Sequence, residues 1–226
     1  VVAAAGLVAA GSGPGYGADA GVEDGAGRST TAFRAGAVLW MVVAAAGHLV
    51  SRVCSIADGP IAELPRSVYV VSNDCRYAAT LDFARIPRRG YSYADTPIPP
   101  ARKPSLDDEG VFVFELPSRA IQSSRSTGEC RLVASYRDII DHYPIRYELD
   151  DRYWWLNHIG FNSDSSRILF LFRHCDDPMN PGPWSTSMYT VGIDGSDLRC
   201  VLPNVYWSGM ISHQLWGRTP EEIIVD

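Results

Sequence analysis

The sequence predicts an all-β array of repeated blades, and three observations predict it. A strand-turn-strand phrase, Val71-Ser72-Asn73-Asp74-Cys75-Arg76-Tyr77-Ala78-Ala79-Thr80-Leu81, returns as Phe161-Asn162-Ser163-Asp164-Ser165-Ser166-Arg167-Ile168-Leu169-Phe170-Leu171. Each copy is followed by a second pair of strand-like segments closing on a glycine turn, at Thr127-Gly128 and at Asp194-Gly195. From about residue 48 onward, turn signals arrive at the regular spacing that all-β folds require.

Taken in order, residues 1–35 are rich in Ala and Gly with little periodicity and read as a low-complexity tail. Residues 36–226 read as one partial β-propeller domain of about three to four blades. The apolar stretch Gly36 to Val50 is shorter than the roughly 20 residues a membrane span needs. A buried strand or helix of the first blade is favoured there over a targeting segment, because Leu49-Val50-Ser51-Arg52-Val53 runs directly into a strand pattern. Val50 to Cys54 and Ala62 to Leu64, around Asp58-Gly59, form a hairpin that ends the first blade. Ser67 to Val71 and Tyr77 to Phe83 open the second, with Asn73-Asp74 as the turn, and Val111 to Leu116 and Glu129 to Ala134 complete it. Val111-Phe112-Val113-Phe114 is too apolar for a half-exposed strand and suits a blade covered on both faces. Gly160 to Asn162, Arg167 to Phe172, Met188 to Ile193 and Leu198 to Leu202 make the third blade; Met210 to Trp216 and Glu222 to Val225 start a fourth. Two interruptions break this rhythm. Ile86 to Gly110 carries five prolines and reads as an irregular loop, and Tyr136 to His142 reads as one or two helical turns. The chain starts at Val1 and stops inside a strand pattern, so an incomplete array is expected, with part of any site lying elsewhere.

Composition narrows the function classes. With 46% apolar residues the chain can bury a sizeable core. A net charge of -6 and a pI near 5.3 argue against a nucleic-acid partner, which demands a basic footprint. No membrane association is expected. Five widely spaced cysteines, without a CxxC pair, read as mostly buried small apolar residues, and a reducing, cytoplasmic compartment fits them slightly better than an oxidising one. No phosphate-cradling glycine loop, serine nucleophile elbow or zinc-helix motif is present.

The phrase Ser72-Asn73-Asp74-Cys75-Arg76-Tyr77 resembles the S-P-D-G-R-Y turn of TolB-like six-bladed β-propellers, with Asn73 and Cys75 in place of the usual Pro and Gly. Leu156-Asn157-His158-Ile159-Gly160-Phe161-Asn162, leading to Leu169-Phe170-Leu171-Phe172 and Arg173-His174, is similar to the N-H-P-x-F-S-P region of oligogalacturonide lyases. In that family an apolar strand follows and ends in C-H-E-G. Ser212-His213-Gln214-Leu215-Trp216 is similar to the same family's T-H-E-F-W. The resemblance covers residues 50 to 226 and implies a carbohydrate-active propeller performing metal-assisted β-elimination on a uronate-containing oligosaccharide. It implies His158 as the base, and His213 with Gln214 toward a divalent metal such as Mn. The family's remaining ligands come from a later blade, and Gln214 stands where the family has Glu.

Such chemistry needs a base beside the acidic carbon and positive charge to stabilise the enolate-like intermediate. Imidazole suits the first task, and neutral imidazole also suits a divalent transition metal. His158 stands three residues before Phe161 and ten before Ile168, while His213 stands three before Trp216 and ten before Ile223. Equal offsets bring both to one rim; the structural alternative is that each merely bonds a neighbouring blade's backbone. Arg88, Arg89, Tyr91 and Tyr93 are candidates to clamp an anionic sugar, since guanidinium pairs bidentately with carboxylate and an aromatic ring offers a flat face. Solvated loop residues are the alternative for these four. His174 reads as a solvated strand-end histidine, and Trp154, Trp155 and Trp184 as core. Asp150-Asp151 and Asp176-Asp177 lack calcium-loop spacing and read as turn residues. A second functional reading stands beside the lyase: a non-catalytic TolB-like propeller that binds a protein or small ligand on one rim.

Overall fold

The chain was analysed as a computed structural model that describes residues 7–8, 37–43, 49–55, 59–87, 97–116, 130–206 and 213–225, with side-chain surroundings for 50–51, 63–87 and the later segments. It is all-β, built from four antiparallel sheets with one short α-helix among these residues. The first sheet runs β1 (Leu7–Val8), β2 (Ala37–Val43), β3 (Leu49–Ser55), β4 (Gly59–Leu64). The second runs β5 (Val70–Val71), β6 (Tyr77–Thr80), β7 (Gly110–Glu115), β8 (Cys130–Ser135). The third runs β9 (Tyr153–Phe161), β10 (Arg167–Cys175), β11 (Ser185–Gly192), β12 (Arg199–Leu202). A hairpin of β13 (Gln214–Trp216) and β14 (Ile223–Val225) forms the fourth. Every sheet is an open meander in chain order, and none closes into a barrel. No described helix is long and apolar enough to cross a membrane.

Period-2 side-chain alternation makes these sheets stack. In β10, Ile168, Phe170 and Phe172 join the main core with Ala79, Val111 and Val113 of the second sheet, while Leu169 and Leu171 pack with Met188 and toward Trp216 and Ile223 of the fourth. In β6 and β7 the same alternation sends Ala78 and Phe114 the other way, onto Leu64 at the end of β4. The third sheet is thus apolar on both faces, as expected for the second from Val111–Phe114 and observed for both. The expected strand pair at the end of the chain is present as β13 and β14, with residues 210–212 of its first segment outside the described residues, and the helical turns are present as α1 (Tyr136–Asp141) with a capping box between Ser135 and Asp138. Several boundaries differ from expectation by three residues or more, at β4, β5, β6, β9, β10 and β11, and two of them have a visible cause. β6 stops at Thr80 because the Asp82 side chain accepts from Ala84 N–H (2.9 Å) and caps a 3-10 turn at Phe83–Arg85. β9 begins seven residues earlier than expected, at Tyr153 against Gly160, because Tyr153 to Leu156 are buried throughout and show no alternation to read. Leu7–Val8, within the stretch read as a tail, pairs with β2.

The repeated phrase folds the same way in each copy. Asp74 Oδ1 accepts from Ser72 Oγ (2.6 Å) and Arg76 N–H (3.1 Å), Asp164 Oδ1 from Ser166 N–H (3.0 Å), and Asp194 Oδ1 from Ser196 N–H (2.9 Å). The next residue is left-handed each time: Cys75 at φ 58°, Ser165 at φ 62° and Gly195 at φ 88°. Successive turns are tied together, since Asn73 Nδ2 donates to Asn162 O (3.3 Å) and Asn162 Nδ2 donates to Pro220 O (3.2 Å).

Candidate functional site

The first strands of three consecutive sheets meet, with β5 and β13 each touching β9. Register fixes their equivalence: Val71 pairs with Ala78, Phe161 with Ile168, and Trp216 with Ile223. Val68, His158 and His213 each stand three residues before these anchors in the chain, but β9 holds one extra residue in that interval, so along the ladder Asn157, paired with Leu171, takes the place expected of His158, and His158 moves to the level of Tyr69 and Gln214. At the turn end of these strands lies a cleft of about 570 Å³, lined by Tyr69, Asn73, His158, Gly160, Phe161, Leu169, Gln214 and Trp216.

His158 occupies an irregular point of β9. Asn157 pairs with Leu171 and Gly160 with Leu169, so His158 and Ile159 together face the single residue Phe170 in a β-bulge. Its backbone is left-handed, at φ 52°, a conformation that costs a residue with a β-carbon about 1–2 kcal/mol. Two hydrogen bonds offset this, each of net worth about 1 kcal/mol. Tyr69 Oη accepts from His158 N–H at 3.1 Å, and Gln214 Nε2 donates to His158 O at 3.2 Å. Tyr69 follows Val68 and Gln214 follows His213, so the same register position of the preceding and the following sheet grips the bulge from either side.

The His158 ring is half-buried, and burial, then the positive charges of Arg173 and His213, lower its pKa to about 4. It is therefore neutral at pH 7. His158 lines the cleft, while His213 is exposed and precedes Gln214, whose side chain bonds the His158 carbonyl. Gln214 is 8% exposed; with its nitrogen engaged, its Oε1 has no hydrogen-bond partner among the described residues. Imidazole nitrogens and a carboxamide oxygen are neutral donors that fit a divalent transition metal in kind. Among the described residues no three His, Cys, Asp or Glu side chains gather as a metal group, so such an ion would rest on imidazole and amide together.

Arg88, Arg89, Tyr91 and Tyr93 lie outside the described residues. The described stems of their loop leave from the end of β6 and the start of β7, opposite to the cleft. There Arg85 Nη2 donates to Ala101 O (3.1 Å) and Arg102 O (2.8 Å), while Arg102 Nη1 donates to Asp176 O (2.8 Å). His174 differs from expectation. It is 2% exposed, lies inside β10, and shares a hydrogen bond between its Nε2 and Tyr143 Oη (2.9 Å), because β10 continues to Cys175 beneath the loop carrying Tyr143. The cysteines also depart from expectation: of the four with described surroundings only Cys175 is buried, and Cys75 is exposed at its turn. Trp154 and Trp155 are core as expected.

Tyr69, Trp216 and Arg173 are site residues that the sequence reading did not single out. Applying the repeat offset that linked His158 to His213 one position further along would have found Tyr69. Trp216 lies over Gly160, donating from Nε1 to Gly160 O (3.0 Å), and presents an indole to the cleft. Arg173 carries no signal, since nothing in the repeat marks a buried guanidinium, here bonded to Thr186 Oγ1 (3.1 Å) and set over the Trp184 ring. No protein-family model, curated protein or solved structure matches the chain.

Proposed function

We propose that the chain is part of a TolB-like β-propeller resembling oligogalacturonide lyases, and that the cleft between β5, β9 and β13 takes a uronate-containing oligosaccharide. Meandering sheets stacked face on face, with their first strands side by side, support the propeller reading. The observation that carries the functional reading is that His158 and Gln214, from adjacent sheets, line one cleft and are hydrogen-bonded to each other at 3.2 Å, with His213 preceding Gln214 in the chain. Aromatic faces at Tyr69 and Trp216, with the acceptor Gln214 Oε1 in the same lining, suit a ring that is apolar on its faces and hydroxylated at its edge.

In this reading neutral His158 takes the proton from the carbon beside the uronate carboxylate. The electron pair forms the ring double bond, the bond to the leaving glycosidic oxygen breaks, and that oxygen takes a proton from water to become a hydroxyl while His158 later returns its proton to solvent. Arg173 lies close enough to influence His158 and contributes positive charge as the intermediate becomes anionic. His213 and Gln214 would hold a divalent metal, which would supply Lewis-acid polarisation of that carboxylate.

The test is incubation of the full chain with oligogalacturonides and manganese, following absorbance of the unsaturated product. His158→Gly keeps a residue suited to the left-handed backbone, so it removes the imidazole alone, and a fall of at least about 100-fold is expected. Equal rates in this variant, or no signal above a chelated control, exclude the lyase reading. One observation favours the second reading, a binding site without chemistry: a pKa of about 4 leaves His158 a weak base. Calorimetric binding of an oligogalacturonide with no turnover would select it.

A further inference from the structure

We propose that Tyr69 is a positioning residue for His158, fixing the bulge of β9 from the preceding sheet so that the imidazole stands in the cleft; this rests on the reading of His158 as the acting group. The phenol does what no residue of β9 can do. A bulge leaves one strand position outside the ladder, and the His158 N–H is satisfied across the sheet boundary by Tyr69 Oη at 3.1 Å. Tyr69 is itself fixed, its ring stacked on Phe83 with centroids 5.4 Å apart and planes 14° from parallel. Phe83 belongs to the 3-10 turn capped by Asp82, whose next residue but one, Arg85, is locked by its Nε to Trp154 O (3.0 Å) near the start of β9. The support for His158 thus closes on itself, from β9 through Arg85, Phe83 and Tyr69 back to β9. The Gln214 bond to His158 O completes the grip from the following sheet, so the peptide groups on both sides of the histidine are held before any ligand arrives.

Tyr69→Phe tests this, because it keeps the ring and its stacking and removes the hydroxyl. In the full chain labelled with 15N-histidine, the His158 amide signal should shift and exchange with solvent about tenfold faster, while His142 and His174 stay in place. With oligogalacturonide and manganese, kcat should fall about tenfold with KM within a factor of about two, the pattern of lost alignment in the transition state. An unchanged kcat beside active wild type overturns the proposal and leaves the lyase reading standing. If wild type shows no turnover, the lyase reading fails, and the His158 ring-proton signals decide Tyr69: displacement in Tyr69→Phe supports it, and coincidence with wild type overturns it. Should Tyr69→Phe fold poorly by near-ultraviolet circular dichroism, Phe83→Leu, which loosens the same ring, should give a smaller change in the same His158 signals. No change there overturns the proposal equally.

Discussion

The two ends of the sheets are built by opposite means. At one end a single device repeats: an Asp carboxylate caps a tight turn, the next residue is left-handed, and an Asn from two of the turns reaches to the next turn. At the other end each device occurs once: the Arg85 clamp, the capped α1 helix, and the Tyr143 contact to His174. The cleft opens at the repeated end. Repetition there makes departures conspicuous in the sequence, since a histidine three residues before the anchor in two copies, where a third has valine, stands out against a constant background. At the irregular end nothing supplies a background, and buried polar contacts do the fastening unannounced.

The largest effect that would sharpen this contrast lies at the irregular end. Phe172 is fully buried and its ring meets those of Tyr136, Tyr143, Trp154 and Tyr189, which joins α1 and its following loop to the third sheet. Phe172→Ala should cost about 4 kcal/mol in urea unfolding. A loss below about 1 kcal/mol would mean that this end is not where the array is secured.

Next comes pH. Burial, then Arg152, lowers the His174 pKa from 6.5 to about 4, with Asp176 opposing. Because the folded value lies below the unfolded one, the stabilisation is complete above about pH 6.5 and is lost as pH falls through about 4. The loss is on the order of 3 kcal/mol. Urea midpoints between pH 7 and pH 4.5 should fall in wild type and fall less in His174→Phe; parallel falls would exclude His174 as the source.

At the repeated end the expected effects are smaller and of unusual sign. Glycine in a strand is normally worse than alanine, yet at the left-handed His158 the order should invert, with His158→Gly more stable than His158→Ala by about 1 kcal/mol. Thermal unfolding of the two variants side by side decides it. Smallest of all, Cys75→Gly should raise stability by at most about 1 kcal/mol, because Cys75 is exposed and holds φ 58° against its β-carbon. A lower melting temperature would show that its thiol contributes to the turn.

How much was legible follows from the same contrast. The strands of the second and third sheets and the turns at Asp74, Asp164 and Asp194 are properties of a repeat, and a repeat is visible as sequence; the equal chain offsets of His158 and His213 are not matched in register, because a bulge adds a residue without leaving a mark in the sequence. The early start of β9 was hidden because Tyr153 to Leu156 are buried throughout, which erases alternation. His174 was misplaced because a strand end is inferred from the polar residues that follow it, and here Asp176 and Asp177 lie beyond a residue already covered by Tyr143. Tyr69 escaped notice because its hydroxyl serves a backbone amide in another sheet, 89 positions away.

The bulge in β9 has one more consequence. Leu156 pairs with Phe172 and Phe161 with Ile168, so Leu156 and Phe161 face the same core although they are five positions apart, an odd offset that in a regular strand puts side chains on opposite faces. One residue in that interval is surplus to the ladder, which closes on both sides without it. His158 and Ile159 share that place opposite Phe170, with Ile159 in the core and His158 in the lining of the cleft. The bulge thus sets two side chains where a regular strand has one, so one serves the core while the other, a histidine, meets a visitor.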